Sequence, residues 1–161
     1  MAVNLKWCCS KKEGIKIIEP NDNLSLGYSQ MAENAIGTMN REKSLNLQFA
    51  ISACYYSMYY SFYSILMKIG IKCEIHACTL EFMKKLLSDF YSDEDVKIIK
   101  RAFDVRNTSQ YYVDKIVSKE DTEFIFSKAP YFLNKSNEIL SKINEKDILK
   151  IRKEVEKVIK S

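Results

Sequence analysis

Glycine and proline are scarce in this chain of 161 residues, with four of the first and two of the second. The glycines stand far apart, at positions 14, 27, 37 and 70. So few breakers argue against many short strands and for long helices, and the abundance of Lys, Glu, Leu and Ile points the same way. Histidine occurs once, as His76. A Ser-His-Asp triad would therefore have one possible base, and no nucleophile elbow surrounds it. There is no Gly-rich phosphate loop, no paired His-Glu metal helix and no calcium loop, so no cofactor is expected. The N-terminus, MAVNLKWCCSKKEG, lacks the apolar core of a secretory signal. That lack and an odd count of five cysteines lead us to expect a reducing, cytoplasmic setting.

What is present is a globular composition on a length that suits one domain. The formal net charge of +4 is a mild excess, compatible with an RNA or nucleotide partner but far from a basic DNA-binding profile. Residues 44–67 carry no charge and are long enough to span a bilayer. Yet this stretch holds Asn46, Gln48, several serines and five central tyrosines, and tyrosine belongs at a bilayer interface. A buried central helix is the expectation, with no membrane partner.

Residues 1–22 read as irregular, with one short strand over 14–18 and a turn at Pro20-Asn21-Asp22. From 23 to 161 the pattern predicts a single helical domain. Asn23 or Ser25 can cap a first helix running to about Met39, in which Gly27 and Gly37 either weaken the helix or admit a close neighbour. A second helix runs from about Ser44 to Ile69, stopped by Gly70. A third covers about 77–90. Ser92-Asp-Glu-Asp95 opens a fourth with a capping box, and Ser118-Lys-Glu-Asp121 opens a fifth over about 119–142. Pro130 should kink or break that fifth helix. A final amphipathic helix over 145–160 should pack on the bundle or serve a dimer contact.

Three residue groups are candidates for chemistry. Cys73, His76 and Cys78, with Cys8 and Cys9, form a set of soft ligands. Their spacing fits no common zinc pattern, so ordinary buried cysteines and no metal are the expectation. The tyrosine stripe Tyr55, Tyr59 and Tyr63, flanked by Tyr56 and Tyr60, reads either as a stacking platform for bases or as core filling, and core filling is favoured. On the fourth helix, Phe103, Arg106, Asn107, Gln110, Tyr111 and Asp114 fall on one face at 100° per residue. Arginine suits forked contacts with phosphate, while the blander alternative is a polar face with an Arg–carboxylate pair.

Taken in order, the run Ala53–Tyr63 (ACYYSMYYSFY), Leu66–Gly70, His76, Arg106-Asn107 and Tyr111-Tyr112 resembles the HEPN family, and more closely its small stand-alone members. The resemblance covers roughly residues 24–142. It implies an all-α, antiparallel four- to five-helix bundle, here with an additional C-terminal helix, commonly assembled as a homodimer. In the family's catalytic members an Arg, a polar residue, and a His four to six residues after the Arg line the dimer cleft. They cut RNA without metal and leave a cyclic phosphate. Other members pair with a minimal nucleotidyltransferase as toxin and antitoxin, or bind nucleotides. Carried over by position, Arg106 matches the arginine and Asn107 its polar neighbour. Tyr111 or Tyr112 stands where the histidine is expected. Tyrosine, with a pKa near 10, is a poor general base at neutral pH. The resemblance therefore implies catalytic positions at Arg106, Asn107 and Tyr111, with Gln110, Tyr112, Asp114, His76 and Tyr56 as further binding positions. His76 joins them only if folding brings it to the cleft. The alternative function is a non-catalytic helical partner of a nucleotidyltransferase.

Overall fold

In the computed structural model, residues 2–161 are described. They form seven helices and one two-stranded antiparallel ribbon. The elements are α1 (Leu5–Ser10), β1 (Lys16–Ile17), α2 (Asp22–Glu42), α3 (Leu47–Ile69), β2 (Ile71–Lys72), α4 (His76–Leu86), α5 (Asp93–Tyr111), α6 (Lys119–Lys142) and α7 (Glu145–Lys160). The all-α bundle expected from the sequence is what the chain adopts.

α3 is the central element, packed against α2, α5, α6 and α7. Its uncharged sequence is explained by that position: most of its residues from Ala50 to Ile69 are buried. Three of its serines are buried as well, and none is left unsatisfied. The hydroxyls of Ser57, Ser61 and Ser64 donate back to the carbonyls of Cys54, Ser57 and Ser61. A polar side chain can therefore sit in the core without an orphaned group. Among the described residues no helix is long and apolar enough to cross a membrane.

Local caps set the helix ends. Asn21, not Asn23 or Ser25, caps α2 through the Leu24 N–H, so α2 starts slightly earlier than predicted and runs three residues further, to Glu42. Ser92 and Asp95 form the reciprocal capping box of α5, and Asn144 with Asp147 forms another on α7. Gly70 ends α3 in the left-handed region at φ 87°, which only glycine adopts without strain. α7 packs on the bundle rather than standing free: Ile151 and Val155 are buried, and Arg152 donates to the carbonyls of Ile18, Ile69 and Gly70.

Five expectations are corrected. Residues 1–22 are not wholly irregular, because Asn4 caps the short helix α1 and β1 pairs with β2. The cysteines are not all uncommitted thiols: Cys8 and Cys78 form a disulfide that joins α1 to α4. α6 runs through Pro130 unbroken, held by Ile125, Ala129 and Phe132, which are buried on both sides of the proline. α4 ends at Leu86 rather than Phe90, where the chain turns before the next cap. Gly27 admits no close neighbour, since a Cβ there would meet open space.

Candidate functional site

The site lies where α4 begins and α5 crosses the tyrosine stripe of α3. Arg106 sits in the last buried turn of α5, 6% exposed. Its guanidinium carbon lies 5.0 Å from the ring centre of Tyr55, 5.5 Å from Tyr56, 5.7 Å from Phe103 and 5.9 Å from Tyr111. Aromatic faces attract a cation, but they do not neutralise it. One N–H donates to the side-chain oxygen of Gln110 at 3.1 Å. Nε is buried and has no hydrogen-bond partner. Among the described residues no Asp or Glu pairs with Arg106. The Arg–carboxylate alternative is therefore set aside. Burying an uncompensated charge costs several kcal/mol, roughly, and an arriving anion would remove that cost.

His76 is the first residue of α4. Its Nδ1 is 2.6 Å from the hydroxyl of Tyr55. Its ring lies flat on Tyr59, 4.2 Å between centres and 7° between planes. Phe103 packs at 6.0 Å and Tyr56 presents an edge at 6.3 Å. Nε2 has no partner and remains open to solvent. Burial, with the Arg106 charge added to it, holds the His76 pKa below the ordinary histidine value. The imidazole is thus neutral at pH 7. His76 and Arg106 share three aromatic neighbours: Tyr55, Tyr56 and Phe103.

Tyr55 is the hinge of this arrangement. It is fully buried and touches both His76 and Arg106. Burial pushes its phenol far up, Tyr59 adds to that, and Arg106 pulls against both. It stays a neutral phenol at any physiological pH.

The remaining predicted residues divide. Asn107 is half-buried one position along from Arg106, and Gln110 is exposed and tied to Arg106. Tyr111, 65% exposed, closes α5 beside the guanidinium. Tyr112 lies just beyond the helix, its N–H donating to the Thr108 carbonyl. Asp114 does not join the face, because α5 ends at Tyr111 and Asp114 falls in the following turn. Nothing after Arg106 in α5 is buried, so no packing sustains another turn. The soft-ligand set is also dispersed by the Cys8–Cys78 disulfide, while Cys73 is buried with its thiol on the Ile75 carbonyl. Sequence reasoning missed Tyr55 and Tyr59 as the holders of His76. Their i, i+4 spacing on α3 was visible, but the same spacing serves a core.

Comparison with known proteins identifies the family of this fold. A model of the HEPN domain family matches residues 30–140. A candidate toxin of Methanocaldococcus jannaschii is 32% identical over 137 residues, covering 79% of this chain and 91% of the relative. A UPF0332 protein of Archaeoglobus fulgidus is 27% identical over 113 residues, covering 69% of this chain and 90% of the relative. Since the matched segment takes in α3, α4, α5 and nearly all of α6, the chain belongs to the HEPN family.

Proposed function

We propose that this protein binds RNA through a phosphate held by Arg106 and cleaves it without metal, as the toxin of a toxin–antitoxin pair. The observation that carries the reading is the buried guanidinium with no carboxylate partner and an unpartnered Nε. Arginine presents a planar fork of donors that matches two phosphate oxygens, and in a low-dielectric cleft each contact strengthens. Developing charge on a phosphorane is stabilised by such a preorganised cation. Tyr111 and Tyr112 are exposed at the mouth, where unstacked bases of single-stranded RNA could lie on their rings. The candidate toxin among the relatives supports the same reading.

The cleft belongs to a homodimer in this reading. Leu47 at the start of α3 lines one groove with Tyr112, Val113 and Ile116 beyond the end of α5, and Val113 is 98% exposed. Phe49 is exposed nearby on α3. These exposed apolar side chains near the site suit a second copy of the chain.

The test is incubation of a labelled single-stranded RNA with EDTA present, beside an Arg106→Ala control. Cleavage by the wild type, lost in the control, is the expected result. No cleavage by the wild type would sink it and favour the second reading, which the tyrosine at the motif position supports: a helical partner of a minimal nucleotidyltransferase. Co-purification with such an enzyme would identify that case.

A further inference from the structure

We propose that His76 takes the proton of the attacking hydroxyl at the Arg106 site, in place of the absent motif histidine, and that Tyr55 is its positioning residue. This rests on the RNA-cleaving reading above and supplies the base that reading lacks.

Cleavage needs a group that accepts a proton near the phosphate. The motif position offers Tyr111, an exposed phenol. A phenol is almost wholly protonated at pH 7 and is a poor acceptor. The structure brings the chain's one imidazole to the same place from another helix. His76 and Arg106 contact the same three rings, and the Arg106 charge acts on the imidazole, so in this proposal a phosphate on the guanidinium comes within reach of His76. The groups facing His76 are the phenols of Tyr55, Tyr56 and Tyr59 from α3, and Phe103 and the Arg106 charge from α5. Burial raises the Tyr55 and Tyr59 phenols further above neutrality, and His76 is the group there suited to titrate in the working range.

The two ring nitrogens have separate tasks. Nδ1 is engaged with the Tyr55 hydroxyl at 2.6 Å, and Nε2 is open. Proton exchange with a ligand therefore runs through Nε2. For Nε2 to accept, Nδ1 must carry the hydrogen and donate it to the Tyr55 oxygen. Tyr55, a buried neutral phenol, keeps lone pairs for that bond, and the bond strengthens as the imidazolium forms. The flat stack on Tyr59 fixes the ring plane.

The step balances as follows. The ribose 2′-oxygen attacks phosphorus while its proton passes to His76 Nε2. The bond from phosphorus to the 5′-oxygen breaks, and that oxygen takes a proton from water. The products are a 2′,3′-cyclic phosphate and a 5′-hydroxyl end. His76 then returns its proton to solvent.

The experiment combines kinetics with nitrogen-15 NMR, in which a single histidine needs no assignment. His76→Gln should lower kcat roughly 10²-fold or more with KM for RNA unchanged. Tyr55→Phe keeps the ring and should lower kcat about tenfold, the loss of one hydrogen bond to the reacting group. In the wild type the imidazole should carry its hydrogen on Nδ1, and Tyr55→Phe should move it to Nε2. The acidic limb of the wild-type pH–rate profile should lie below the ordinary histidine range, because the neutral form is the active one. Full activity in His76→Gln, or an Nε2–H tautomer in the wild type, overturns the assignment. Either result leaves the RNA-cleaving reading standing if Arg106→Ala is still inactive. Absence of cleavage by the wild type removes both.

Discussion

Arg106 is a residue whose burial works against stability. Its side chain gives up water and gains one amide hydrogen bond and several ring faces, with no opposite charge. Such a group is retained for what it binds, not for what it holds together. Arg106→Ala should therefore leave the melting temperature unchanged or raise it by a few degrees while activity disappears. A fall of about 10 °C in a thermal melt would instead assign Arg106 to the fold. The residue scale also shows why the site was only half legible. Arg106, Asn107, Gln110 and Tyr111 share one helix, so their common face follows from a period of 3.6 residues. His76 shares no element with them, and periodicity carries no information between helices.

At the scale of elements, the signals that worked were local ones. α6 runs over the residues its cap predicted and α7 over those its apolar spacing predicted, and Ser118 and Asn144 each satisfy the third helical N–H in place. α1 escaped notice because six residues carry too little periodicity to register. It is held by partners outside itself: the bond from Cys8 to Cys78 and the Ile15 N–H donating to the Cys8 carbonyl. The junction of α3 and β2 is more tightly determined. Gly70 at φ 87° passes its N–H to the Leu66 carbonyl, and its own carbonyl accepts from Ile18 and Arg152. A Cβ there would strike the Ile18 carbonyl as well as strain the backbone. Gly70→Ala should cost about 1–3 kcal/mol of unfolding free energy, read from urea denaturation. A loss below a few tenths would mean that the turn relaxes without penalty.

On the scale of the whole molecule, one tie joins distant parts of the chain and another is proposed between copies. The Cys8–Cys78 disulfide spans 70 residues of sequence and fastens α1 to the helix that begins with His76. Reduction should lower stability by about 2–4 kcal/mol. Hydrogen exchange should show α1 loosening first, since little else but α4 and α7 holds it. Equal melting curves with and without reductant would show that the tie contributes nothing. The other tie is the one proposed between copies of the chain. If the exposed apolar side chains of Leu47, Phe49 and Val113 are covered by a second chain, Phe49→Asp should convert a dimer to a monomer in light scattering. The same monomeric mass in wild type and variant would leave that surface without its proposed occupant.

The amino-acid sequence by itself determined six of the seven helices, most of their ends, the central place of α3 and the candidate face of α5. Each of these depends on neighbours within one or two turns, and capping and amphipathic spacing act at that range. Only the tertiary structure decided that His76 and Arg106 pack on the same aromatic rings and that Arg106 lacks a carboxylate. Only it showed that Tyr55 and Tyr59 act on an imidazole from α4. Those facts depend on how α4 and α5 dock against α3, and the chain's local order does not encode which side chains from separate helices share a wall. The packing of a tyrosine stripe that looked like core filling is what gathers the site.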